Sequence, residues 1–199
     1  EIGSNHRGEI ADLCGILEPD WGVVTNIGPV HIEHFGTEDA IAEEKGMLLR
    51  ALPASGTAVL DMDGRYFAAL RGMTRARLVT VGAGGDADFV YRIPDAGADV
   101  EITSKSDGEK AVLSVRQPGR HNKVNAVLAS AAARRAGISW GDICRALEHV
   151  TALPMRWEEQ RVGGRLFIND AYNANPVSMR AALDTFWLMT VPGRKWLVL

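Results

Sequence analysis

Three short apolar runs separated by helix-forming stretches most limit the folds open to this chain. Residues 21–26, 57–61 and 77–81 are rich in Val and Thr and are bounded by Pro, Gly and Asp, which marks them as strands. Between the first two, residues 37–52 read as a helix. Thr37 is placed to cap it, with Ala40 as the third residue, and Pro53 and Gly56 end it. Residues 65–74 are helix-like. Strand, helix, strand in this order predicts a parallel sheet covered by helices.

The texture then changes. Residues 88–93, 99–103 and 110–116 are short strand candidates separated by turns, with no helix between them, and so suggest antiparallel pairing. Helices return at 122–136 and 139–149, the second opened by a Ser139-x-x-Asp142 capping pattern. Ala152-Leu153-Pro154 marks a domain boundary, followed by a strand at 165–168, a helix at 176–188 and a strand-like run at 195–199. The expected fold class is therefore α/β. A mostly parallel sheet flanked by helices carries a small antiparallel subdomain over residues 1–153, and a second α/β domain begins at 154–199.

With 46% hydrophobic and 24% charged residues the chain has the material for a core. A net charge of −3 offers no basic face for nucleic acid, and two cysteines offer neither a disulfide scaffold nor a zinc spacing. No apolar run reaches membrane-span length, so a cytoplasmic protein is expected. The chain opens on Glu1 without Met and is expected to be part of a longer protein. The phosphate-loop pattern Gly-x-x-x-x-Gly-Lys-Ser/Thr does not occur in it.

Several groups stand where chemistry is usual. Asp170-Ala171-Tyr172-Asn173-Ala174-Asn175-Pro176 lies between an expected strand and an expected helix, where α/β enzymes hold ligands. The same residues also make ordinary turns. Lys45 falls inside the apolar stripe Ile41, Leu48, Leu49 and Leu52, while Glu43 and Glu44 are expected to point elsewhere. Such a lysine snorkels, pairs or loses its proton. His31 follows the first strand and is either a loop histidine or a metal ligand. Asn122 and Asn125 share a face near a helix start, as amides for a base edge or as cap and packing groups. Arg156 sits at the domain junction, available to a phosphate or to a surface ion pair with Glu158 or Glu159.

The order of these segments resembles the Mur ligases, ATP-dependent amide-forming enzymes of peptidoglycan precursor synthesis. Glu1-Ile2-Gly3-Ser4-Asn5-His6-Arg7-Gly8 resembles the segment after their phosphate loop, and Thr25-Asn26-Ile27-Gly28-Pro29-Val30-His31 their metal loop. Glu43-Glu44-Lys45-Gly46 resembles the helix bearing their carbamylated lysine, and Gly119-Arg120-His121-Asn122-Lys123-Val124-Asn125 their adenine-contacting segment. The Asp170–Pro176 run is most similar to the D-Ala-D-Ala-adding branch. Nothing between residues 64 and 108 matches a motif.

The resemblance implies the following roles. Glu1, His31 and Lys45 as carbamate would hold Mg²⁺. Asn122 and Asn125 would approach the adenine of ATP. Arg156 and Asp170 would reach phosphate and ribose, with Tyr172 and Asn173 lining the same junction. Lys45, His31 and Arg156 would serve catalysis. The substrates implied are UDP-MurNAc-tripeptide and D-Ala-D-Ala. A chain without the phosphate loop is expected to be inactive by itself. The competing readings are another ligase of this superfamily, whether a different Mur ligase or one of folylpolyglutamate or cyanophycin type, and a non-catalytic nucleotide-binding piece.

Overall fold

A computed structural model describes residues 1–94, 99–151 and 153–198. Six strands form one sheet in sequence order. β1 (Trp21–Val24), β2 (Thr57–Asp61), β3 (Arg77–Gly82) and β4 (Phe89–Arg92) run parallel to one another. β5 (Asp99–Ser104) and β6 (Lys110–Ser114) continue the sheet antiparallel. The antiparallel strands are attached to the parallel sheet as expected, while β4, expected among them, pairs parallel with β3 and antiparallel with β5.

Successive residues of β2 face opposite ways, and each face meets its own helices. Ala58 and Leu60 pack with Val24, Leu49, Leu52 and Leu70, under α3 (Glu38–Ala51) and α4 (Phe67–Arg71). Val59 packs with Val79, Val81, Val127, Leu128 and Ile143, under α5 (Arg120–Arg135) and α6 (Trp140–Glu148). Burial on both faces explains the unbroken apolar run of this strand. The helix boundaries follow the caps. Thr37 Oγ1 accepts the Ala40 N–H at 3.1 Å, and Ser139 Oγ accepts the Asp142 N–H at 3.2 Å.

The step from β3 to β4 takes only residues 83–88, which is short for a parallel connection. Asp88 makes it possible. Its carboxylate accepts the Thr80 N–H at 2.8 Å and the Thr80 hydroxyl at 2.9 Å, while its own N–H donates to Thr80 Oγ1. A side chain thereby replaces the ladder partner that β3 lacks at that point.

Two elements precede or interrupt this frame: α1 (Glu9–Leu17) and the single turn α2 (Ile32–Phe35). Beyond α6, β7 (Glu158–Val162) and β8 (Arg165–Asn169) form a separate hairpin, followed by α7 (Pro176–Leu188). The hairpin turns on Gly163 and Gly164, both at positive φ (56° and 75°), as a two-residue turn of the right hand for paired strands requires. Asn175 caps α7, accepting the N–H groups of Val177 and Ser178, while Ser178 Oγ accepts the Asn175 N–H. Residues 195–198 were expected as a strand, but they are irregular and exposed, with Trp196 at 79% and Val198 at 92%. A strand needs a neighbour to take its N–H and C=O groups, and no described strand lies beside this run. The boundary expected at residues 152–154 includes Ala152, which lies outside the described residues.

Candidate active site at the carboxyl edge of the sheet

The parallel strands end on one edge, and the chemistry-bearing loops leave from it. After β1 comes the loop that carries His31. This residue adopts the left-handed conformation (φ 57°, ψ 34°), uncommon for a side chain with a Cβ, and holds the cap position of α2 without a side-chain bond. After β2 come Asp61 and Asp63. Asp63 Oδ2 accepts the Ala83 N–H at 2.8 Å and the Tyr91 hydroxyl at 3.3 Å. Burial, with the charges of Asp61 and Asp63 beside it, pushes the Tyr91 phenol up to about 12. Burial also pushes the Asp61 carboxyl up, opposed by the Asp63 N–H and by Arg120. Arg120 opens α5 and so brings the Gly119–Asn125 segment to the same edge.

Lys45 is half-buried in α3, and loss of solvent pulls its amine pKa down. Glu1 and Glu44 lie near enough to oppose that shift. The structure therefore brings Glu1 and Lys45 into electrostatic reach. Glu44 corrects the sequence reading. It does not point away but is 4% exposed, and its carboxylate accepts the N–H of Gly8 at 2.7 Å and of Ile10 at 2.9 Å. Glu43 is exposed, as expected.

Residues 1–9 are fixed elsewhere too. Glu9 takes the N–H groups of Asn5 and His6, which hold its carboxyl down at about 2. The rings of His6 and His34 lie 4.6 Å apart, and Arg7 donates to the Phe35 carbonyl at 3.4 Å. This segment therefore bridges α2, behind His31, and α3, beside Lys45. Among the described residues, no three His, Cys, Asp or Glu side chains form a metal-binding group. Glu1 and His31 would suit Mg²⁺ only with water and phosphate oxygens completing an octahedral shell.

Asn122 and Asn125 do not cap α5; Gly119 holds the cap position without a side-chain bond. Asn122 instead donates to the Pro118 carbonyl at 2.7 Å, which fixes the turn, while Asn125 is exposed. Arg156 forms no ion pair with Glu158 or Glu159. Its guanidinium carbon lies 4.1 Å from the centre of the Tyr172 ring. Asp170 Oδ1 accepts the Trp157 N–H at 2.9 Å, and its charge also acts on His121. Burial pulls the His121 pKa down against that attraction. Asn173 is exposed next to this cluster.

α7 approaches this edge at two points. A Cβ on Gly28 would lie 3.2 Å from Val177 Cγ2 of α7, and one on Gly119 would lie 2.7 Å from the His121 ring and 3.2 Å from Thr185 Oγ1. The seam thus joins the loop after β1, the start of α5 and α7. Asp61, Asp63, Tyr91 and Arg120 were not singled out from sequence. The signal was present, since Asp61-Met62-Asp63 closes an expected strand just as Asn26 does.

A family model for the Mur ligase middle domain matches residues 1–133. The chain belongs to the Mur ligase family. Among its relatives is the UDP-N-acetylmuramoyl-tripeptide–D-alanyl-D-alanine ligase of Mycobacterium tuberculosis, 36% identical across all of this chain and 41% of that protein. The enzyme of the same name from Escherichia coli K12 is 29% identical across all of this chain and 44% of its own length. A crystal structure of MurF from Acinetobacter baumannii superposes with a TM-score of 0.87 at 28% identity, covering 96% of this chain and 42% of that one. Thus the Mur ligase segment described here spans about two fifths of the length of its curated relatives.

Proposed function

We propose that this chain is the part of an ATP-dependent ligase that joins D-Ala-D-Ala to UDP-MurNAc-tripeptide through an acyl phosphate. What carries the reading is similarity along the whole chain to enzymes bearing that name, including residues 170–176 at the seam. We treat residues 1–153 as the ATP-binding domain and 154–199 as the start of the domain that closes on it. The reaction is placed in the cytoplasm, where ATP is available; no helix among the described residues is long and apolar enough to cross a membrane.

In the proposed reaction a carboxylate oxygen of the tripeptide attacks the γ-phosphorus of ATP and ADP leaves. The amine of D-Ala-D-Ala then attacks the acyl carbon, loses a proton, and phosphate departs. Asn122 and Asn125, on one face of the first turns of α5, are assigned to the adenine. Asp170 keeps Oδ2 for the ribose while Oδ1 holds the Trp157 N–H. Arg156 offers its N–H edge to phosphoryl oxygens, and Tyr172 and Asn173 line the junction. Glu1, His31 and Lys45 as carbamate would hold Mg²⁺. The amine of Lys45 suits that role because burial favours its neutral, nucleophilic form, which adds to carbon dioxide and releases a proton. Mg²⁺, when bound, offsets charge on the phosphoryl oxygens.

A ligation assay on the intact protein tests this. With UDP-MurNAc-tripeptide and ATP, D-Ala-D-Ala is expected to be consumed with one phosphate released per bond, and single amino acids are not. Preference for a single amino acid would move the chain to another branch of the family.

A further inference from the structure

We infer that Tyr172 acts as a platform that aims Arg156, and does not itself hold the nucleotide. The inference rests on the proposed assignment of Arg156 to phosphate. The guanidinium carbon stands over the Tyr172 ring, 4.1 Å from its centre, within reach of cation–π attraction. A cation held by its face keeps its N–H groups directed outward in their own plane, the direction in which guanidinium binds phosphate. Among the described residues no acceptor takes those N–H groups.

The nearest carboxylates in sequence are turned to other donors. Glu158 accepts the Met155 N–H at 3.1 Å and the Gln160 amide at 3.1 Å, and Glu159 accepts the Trp157 indole N–H at 3.2 Å. The backbone on both sides of Arg156 is pinned to the turn that carries Tyr172. The Tyr172 N–H donates to the Met155 carbonyl at 3.0 Å, and the Trp157 N–H donates to Asp170. Met155 and Trp157, flanking Arg156, both hold positive φ (56° and 51°). Two strained residues around one arginine persist only where the surroundings fix them. The ties at 155, 157, 170 and 172 do so, and they leave Arg156 lying on the ring.

The test is a double-mutant cycle in the intact protein, reading the KM for ATP separately from kcat. Tyr172→Leu removes the ring and is expected to raise the KM for ATP about two- to fivefold, the worth of an exposed cation–π contact. Tyr172→Phe keeps the ring and is expected to restore the wild-type KM. In an Arg156→Ala background, Tyr172→Leu is expected to add nothing. If Arg156→Ala raises the KM and Tyr172→Leu raises it further in that background, the ring touches the nucleotide itself and the platform is refuted. A Tyr172→Leu enzyme with the wild-type KM refutes it as well. If Arg156→Ala leaves the KM unchanged, the assignment of Arg156 to phosphate fails instead.

Discussion

Glu44 gives the sharpest prediction about stability. Its carboxylate serves α1 as a cap from another helix, since Gly8 at the cap position has no side chain to offer. Glu44→Ala removes two charge-assisted hydrogen bonds. The Ile10 N–H is then stranded in a site where the residue is only 3% exposed, at a cost of about 1–3 kcal/mol. Gly8 is exposed, so water replaces part of its bond, and losing a cap of this kind costs about 1 kcal/mol. Together these give about 2–4 kcal/mol, which lowers the melting temperature of a chain this size by roughly 4–16 °C. Glu43→Ala, one residue away and exposed, is expected to stay within about 0.5 kcal/mol. Chemical denaturation of both variants, with hydrogen exchange followed at Gly8 and Ile10, decides the matter. Equal stabilities for the two variants, or unchanged exchange at those amides in Glu44→Ala, would refute the reasoning.

Lys45→Met is expected to abolish most turnover of the intact enzyme while keeping or raising its melting temperature, because an apolar chain then fills an apolar stripe; Lys45→Arg should lose turnover as well, and near-normal turnover in either returns Lys45 to a snorkelling role. His31→Ala should shift the Mg²⁺ dependence of activity more than it shifts thermal stability, and a sharp loss of melting temperature with an unchanged Mg²⁺ response would mark it as structural. Tyr91 titrates at about 12 in the folded chain against 10 when free, so the unfolded state loses its proton first as pH rises. Stability should therefore fall as pH climbs from 10 through about 12, and Tyr91→Phe should remove that part of the decline, as read by ultraviolet difference absorbance and denaturation at each pH.

Much of the frame was legible because its signals are local. Thr37 and Ser139 cap the helices they precede, and the strands of the parallel sheet carry unbroken apolar runs because both faces are covered. What escaped depends on distant partners. α1 has no cap in its own sequence; the acceptor is Glu44, 34 residues beyond Ile10. Glu44 itself looks like part of a solvated face until α1 is laid across it. β7 is Glu-Glu-Gln-Arg-Val, with no apolar alternation, and exists because Gly163 and Gly164 fold β8 back onto it. In the candidate site, the turn at 170–176 was recognised as special, but its division of labour was not. Asn175 is a cap, Asp170 divides between the Trp157 N–H and the seam, and Tyr172 lies under Arg156. The last two follow from contacts across 13 and 16 residues, which spacing alone does not encode.

We propose that a phosphoryl group passes to the tripeptide carboxylate before the amide forms. Labelling the terminal carboxylate of UDP-MurNAc-tripeptide with oxygen-18 and running the intact protein with ATP and D-Ala-D-Ala tests it most directly. The expected result is one labelled oxygen in the released phosphate for each amide bond made, because the carboxylate oxygen that attacks phosphorus leaves with it. Unlabelled phosphate accompanying a newly formed amide bond would contradict the account.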